Sequence, residues 1–200
     1  MTIQIQLPGV CERDVDLLLL EEFVASPTFC AHFLSQTLGA TAGRLVDARR
    51  SVVTGNGESD LELVFESGEE ALKVLIENKV DAPFMANQPE RYAERANQYR
   101  DSGEYCEVAT VIIAPMAYFG DEANAFGFDA YITYEAIAAW FKESDASPRC
   151  QYKLAILDQA ISRSRSGWTA VPNSEVSAFW QSYWQLTTQI APQLNMPVPK

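Results

Sequence analysis

Asp60, Glu77 and Lys79 are the residues of this chain whose types and spacing suggest chemistry. Asp60 opens an apolar run, LELVF, and Glu77-Asn78-Lys79 closes a second, ALKVLI, with Ser-Gly-Glu-Glu between them. Glu77 and Lys79 are two apart, so on a strand both side chains leave the same face. If the two runs pair as a hairpin closed near Ser67-Gly68, Asp60 comes to lie across from that pair. Two carboxylates beside one ammonium suit magnesium or manganese held by oxygen ligands, with the lysine orienting water against a negatively charged centre. The competing reading is a solvated sheet edge carrying a cross-strand ion pair. VLIENKV is too apolar for an ordinary exposed strand, which favours the metal site.

The elements that must position these groups follow from periodicity. Leu61, Leu63 and Phe65 alternate with Asp60, Glu62 and Val64, the pattern of a strand with one buried face. Residues 45–54 form a strand before it, and Asn56-Gly57 signals the connecting turn. The second strand of the hairpin spans about 72–80. Helices are expected over about 12–25 and, with Ser26-Pro27 as cap and first position, to about 38. A further helix covers about 88–100, placing Gln88, Arg91, Tyr92, Arg95 and Tyr99 on one side. Residues 107–115, EVATVIIAP, read as a strand buried on both faces. An acidic loop over 118–130, helices at about 134–141 and 152–164, and a last helix at 174–194 complete the chain. That last helix carries an aromatic stripe that includes Phe179, Trp180, Tyr183 and Trp184.

Asp60, then Glu77-Asn78-Lys79, then a helix opening Gln88-Pro89-Glu90-Arg91-Tyr92 resembles the PD-(D/E)XK nuclease superfamily, and Gln-x-x-x-Tyr resembles the fourth motif of its RecB-like branch. The resemblance covers about residues 12–160. It implies an α/β, restriction-endonuclease-like αβββαβ core: a mixed central sheet flanked by helices, here with extra C-terminal helices. Ser59 stands where the family motif often has proline. The branch's first motif is an acid on the helix before the sheet, for which DVDLLLLEEF offers candidates. On an ideal wheel of roughly 100° per residue Glu22 falls on the apolar arc between Leu18 and Val15, and it is the expected inward acid. Asp16 falls on the apolar side as well, and Glu21 stays a candidate.

The resemblance implies metal-dependent hydrolysis of phosphodiester bonds in DNA. Asp60, Glu77 and the carbonyl of Asn78 would ligate Mg²⁺ or Mn²⁺, with Glu22 completing the shell. Lys79 would position the attacking water, Gln88 would fix water or Lys79, and Tyr92 with Arg91 or Arg95 would hold the substrate strand.

Composition limits these readings. Two hundred residues suggest one domain over 1–200, with the core at about 12–160 and a helical extension at about 168–200. No run approaches 18 apolar residues, so no membrane partner is expected, and a cytoplasmic location follows as the default. The four cysteines are scattered and there is one histidine, which argues against a zinc site and against histidine-based hydrolysis. A net charge of −12 opposes nucleic acid as partner. Arginines at 49, 50, 91, 95 and 100 nevertheless bracket the site in sequence, so a locally basic cleft fits an acidic body. Two other readings stay in view: a catalytically silent member of the fold that binds a protein partner or dimerises through the C-terminal aromatic helix, and a metal-dependent phosphohydrolase acting on nucleotides.

Overall fold

The structure is a computed structural model that describes residues 5, 7, 9–39, 43–119, 125–144, 147–166, 174–194, 196 and 198. The chain divides into two compact units, residues 1–168 and 169–200.

The first unit opens with helices α1 (Glu12–Ala25) and α2 (Pro27–Leu38). Ser26 Oγ accepts the Phe29 N–H at 3.2 Å, Pro27 takes the first helical position, and Gly39 ends α2 in the left-handed region. Strands β1 (Arg44–Thr54), β2 (Gly57–Ser67) and β3 (Glu70–Asn78) follow as an antiparallel meander. Gly57 has φ 111°, and a Cβ there would come within 3.2 Å of the Arg95 guanidinium, so the turn into β2 needs glycine. Helix α3 (Gln88–Ser102) then crosses to strand β4 (Glu107–Ala114), which runs parallel to β3. After the single turn α4 (Met116–Phe119), strand β5 (Ala130–Thr133) adds a parallel edge, and helices α5 (Tyr134–Ser144) and α6 (Pro148–Ser166) close the unit.

The sheet is therefore mixed, in the order β1-β2-β3-β4-β5, with helices on both faces, which is the expected αβββαβ plan with β5 added. Residues 130–133 of β5 were expected to lie at the end of a loop and in the approach to a helix. Four residues paired to one neighbour carry too little periodicity to announce a strand. The acidic stretch of that loop, 120–124, lies outside the described residues, as does most of the N-terminal segment before Gly9.

β2 is buried on both faces over Leu61–Phe65, against the expectation of one buried face. One core lies beneath α1, α2, α5 and α6 and includes Phe23, Phe29, Leu61, Ile76 and Phe141. The other lies beneath α3 and includes Leu75, Tyr92, Ile112 and Phe128. Covering both faces makes even the polar positions of the hairpin interior ones.

The second unit holds α7 (Ser174–Ile190) and a 3₁₀ turn, Pro192–Leu194. Trp184 Nε1 donates to the Met196 carbonyl at 3.1 Å, while Phe179, Trp180, Tyr183, Leu186 and Ile190 are exposed.

Candidate active site

The site forms where the β2–β3 ladder stops. Leu61 and Ile76 are its last paired residues, and Asp60 and Glu77 stand one step beyond, on the face that α3 covers. Asp60 Oδ2 accepts the Asn78 N–H at 2.7 Å, so a carboxylate replaces the strand partner that Asn78 would otherwise have. The Tyr92 hydroxyl bridges the same gap, donating to the Ile76 carbonyl at 3.1 Å and accepting the Asp60 N–H at 3.3 Å. β3 stays anchored on its other side, where the Lys79 N–H reaches the Ile113 carbonyl at 2.9 Å.

Glu77 is buried, and its Oε1 takes Lys79 Nζ at 2.8 Å and Gln88 Nε2 at 2.6 Å. The Gln88 Oε1 accepts the Met85 N–H, which locks the amide at the start of α3. So Asp60, Glu77, Lys79 and Gln88 do come together. Asn78 points to the opposite face. Its Nδ2 donates to Asp16 Oδ1 at 2.8 Å and to the Glu12 carbonyl at 3.0 Å, and its Oδ1 accepts the Tyr134 hydroxyl. The Glu12 carboxylate accepts the Val80 N–H at 3.2 Å. The strand end is thus wired to the N-terminal half of α1.

Glu22 is not part of this cluster, contrary to expectation. Its carboxylate pairs with Lys153 and with Arg149, the latter at 3.0 Å, and Glu21 pairs with the same two cations. The physical reason is height: Glu22 is six residues beyond Asp16, about 9 Å further along the helix axis at 1.5 Å per residue. The acids of α1 that reach the site are Asp16 and Glu12. Glu12 went unnoticed in the sequence, although its i,i+4 spacing from Asp16 is a usable signal.

Two further residues lie elsewhere than a substrate contact requires. Tyr92 is 1% exposed, and its hydroxyl is committed to the two strands. Arg95 is also 1% exposed; it donates to the Asn56 and Glu58 carbonyls at 2.8 and 3.0 Å and lies over the Tyr92 ring. Both brace the hairpin. Arg91, from the same helix, is half-buried and makes no such bond among the described residues.

Electrostatics separate this end of the hairpin from its surroundings. Burial, then the Glu77 charge, push the Asp60 carboxyl up to about 8, against the pull of the Asn78 N–H. Burial pushes Asp16 up to about 6, opposed by the bond from Asn78 and by the charge of Arg50. Glu12 is raised as well, by burial first. Burial would lower Lys79, but Glu77, Glu12 and Asp60 outweigh it and hold the ammonium above its ordinary value. Three carboxyl groups, Glu77, Glu12 and Asp60, thus share the Lys79 ammonium, while Asp16 lies in the field of Arg50.

Among the described residues no three His, Cys, Asp or Glu side chains are gathered as a ready metal cage. Magnesium does not ask for one, since it keeps several waters and binds through one or two carboxylates. Raised, mutually repelling carboxyls lack positive charge, and a divalent cation is the group that supplies it. The donor set fits.

Residues 46–166, more than half of the chain, match a family model of the PD-(D/E)XK nuclease superfamily. No curated protein matches the chain.

Proposed function

The chain belongs to the PD-(D/E)XK nuclease superfamily, and from that premise we propose that it hydrolyses phosphodiester bonds of DNA with Mg²⁺ or Mn²⁺ at the end of the β2–β3 hairpin. The observation that carries the reading is the excess of carboxyl groups there: Glu12, Asp60 and Glu77 around Lys79, with Asp16 behind them on the Asn78 amide. Asp60, Glu77 and the main-chain carbonyl of Asn78 would hold the cation, with Asp16 or Glu12 taking the place expected for Glu22. When bound, it would polarise the scissile phosphate and ease ionisation of water.

The protein's own groups do the rest. Lys79, held by Glu77, donates to the attacking water and to charge that builds on the phosphate oxygens. Gln88 fixes the Glu77 carboxylate and so the reach of Lys79. Gln88 and Tyr92 have the spacing of the RecB-like branch, with Tyr92 acting as a positioning residue for Asp60. Arg91 holds the substrate strand, whereas Arg95 serves the turn. The test is cleavage of plasmid and single-stranded DNA with Mg²⁺, with Mn²⁺ and with EDTA. Cleavage that EDTA abolishes supports the reading; no cleavage with either metal overturns it.

α7 favours a second role beside this one. Phe179, Tyr183, Leu186 and Ile190 are exposed and follow a three-four spacing, the seam of a helix pair. Glu175 is the only charged residue in the helix, so two copies can meet there without opposing charges although each chain carries −12. We propose a homodimer through this seam, which would also be the protein's task if the carboxylates prove inert. Phe179→Ser with Ile190→Ser should convert a dimer to a monomer in light scattering; a wild type that is monomeric at high concentration refutes it.

A further inference from the structure

In a chain with a net charge of −12, a half-buried guanidinium without a partner is unexpected. Burial removes water from its five donors, and acids to replace that water are plentiful. The other arginines and lysines that are at least half-buried among the described residues each make an ion pair or a hydrogen bond, although the Arg95 Nε finds no acceptor. Lys73, Lys79 and Lys153 sit on glutamates, Arg163 on Asp81, and Arg95 on two main-chain carbonyls. Arg13 and Lys142 lack ion pairs among the described residues, but both are exposed, where water serves them. Arg50 and Arg91 alone combine partial burial with no ion pair and no side-chain hydrogen bond among the described residues.

Both flank the candidate site, from opposite faces of the same strand. Arg50 on β1 stands opposite Leu61, next to Asp60, and Leu61 faces the core beneath α1. Its charge acts on Asp16 across that face. Arg91 comes from α3 on the other face. It is adjacent to Tyr92, whose hydroxyl holds the Asp60 N–H, and three residues from Gln88, which holds Glu77. Its side chain lies against the start of β2, where a Cβ at Gly57 would be 3.7 Å from its Nε. Two unused guanidinium forks therefore bracket the edge at which Asp60 and Glu77 emerge. Planar forks with free donors match phosphate oxygens.

We propose that Arg50 and Arg91 form a two-point clamp on backbone phosphates to either side of the bond that is cut. The proposal rests on the nuclease reading. The clamp explains how an acidic protein can engage a polyanion: attraction is concentrated at the site, where the two guanidiniums add to Lys79 and the bound cation. It also sets the class of interaction. Recognition is of the backbone, without reading of bases, and it rests on few phosphates, so the dependence on salt is shallow. With two contacts the slope of log K against log salt is about −1.8 on duplex or −1.4 on a single strand, far from the roughly −10 of proteins that neutralise many phosphates.

The experiment is fluorescence anisotropy of labelled single-stranded and duplex 20-mers with Ca²⁺ in place of Mg²⁺, over a series of salt concentrations. The proteins compared are wild type, Arg50→Gln, Arg91→Gln, Arg50→Lys and the surface control Lys142→Gln. Each Gln variant should lose one contact, flattening the slope by about 0.7 to 0.9. Arg50→Lys should keep the slope, a rescue that a packing role would not show, and Lys142→Gln should match wild type. In cleavage assays the Gln variants should raise KM about tenfold with kcat changed less. Wild type that cleaves DNA while Arg50→Gln keeps its slope and KM overturns the clamp and leaves the nuclease standing. Wild type that binds with the expected slopes but shows no cleavage with Mg²⁺ or Mn²⁺ overturns the nuclease reading and leaves only phosphate binding by the two arginines.

Discussion

The same face of the β2–β3 hairpin carries two buried acid–lysine pairs, and only one is arranged for chemistry. Toward the closed end Lys73 meets Glu62 at 2.8 Å, with side chains 5% and 2% exposed, under the rings of Tyr99 and Tyr105. The Tyr99 hydroxyl adds a bond to Glu62. Charge is matched one to one and the walls are aromatic. Toward the open end Lys79 meets Glu77 at the same distance, yet Asp60 and Glu12 crowd the same ammonium. Burial is common to both pairs. What separates them is the surplus of acid, which costs folding free energy unless a cation arrives.

The comparison is sharpened most by replacing each lysine. Lys79→Ala should lower the cleavage rate by at least about 10³-fold, since it removes a donor aimed at developing charge. Asp60→Ala should do the same. Lys73→Ala should leave the rate per folded molecule unchanged and cost about 3–5 kcal/mol in denaturant unfolding, the effect of stranding a buried glutamate. Loss of cleavage by a fully folded Lys73→Ala would break the distinction.

A smaller effect comes from pH. Asp60 at about 8 and Asp16 at about 6 keep protons in the folded, metal-free protein that the unfolded chain has already released above pH 4. The folded state binds more protons, so stability should fall as pH rises from about 4 toward 8, then level off. The slope is at most about 1.4 kcal/mol per pH unit for each group. Asp60→Asn should remove the part between about 6 and 8, and Mg²⁺ should flatten the rest by favouring the ionised forms. Denaturant titrations at pH 5, 6.5 and 8 check this; a wild-type stability that rises across that window contradicts the charge surplus. The smallest effect should be that of Glu22→Gln on cleavage, within about twofold, because that carboxylate serves Lys153 and Arg149. A large loss there would restore Glu22 to the site.

These contrasts mark what could be read from the sequence. Asp60, Glu77 and Lys79 were legible because strand alternation and a tight turn convert spacing into proximity, and Gln88 because the Gln-x-x-x-Tyr spacing resembles a motif of the family. So were the mixed sheet and the boundaries of α1 and α2, where Ser26, Pro27 and Gly39 punctuate the chain. The choice of Glu22 over Asp16 failed because a helical wheel reports angle and is blind to height along the axis. Tyr92 and Arg95 were placed on the correct face of α3, but the pattern could not show that this face is sealed against the hairpin. For the same reason the Glu62–Lys73 pair was invisible: alternation assigned Glu62 to solvent, and only a sheet covered on both sides makes it interior. The unpaired state of Arg50 and Arg91 depends on where every acid of the fold ends up, which no local spacing encodes.

The most direct measurement is calorimetric titration of Mn²⁺ into wild type, Asp60→Ala and Lys73→Ala, with plasmid cleavage followed on the same samples. Wild type and Lys73→Ala should bind Mn²⁺ and cleave, and Asp60→Ala should do neither. Absence of binding to wild type, or equal binding by Asp60→Ala, would contradict the claim that the carboxyl-rich end of the hairpin is a metal-dependent nuclease site.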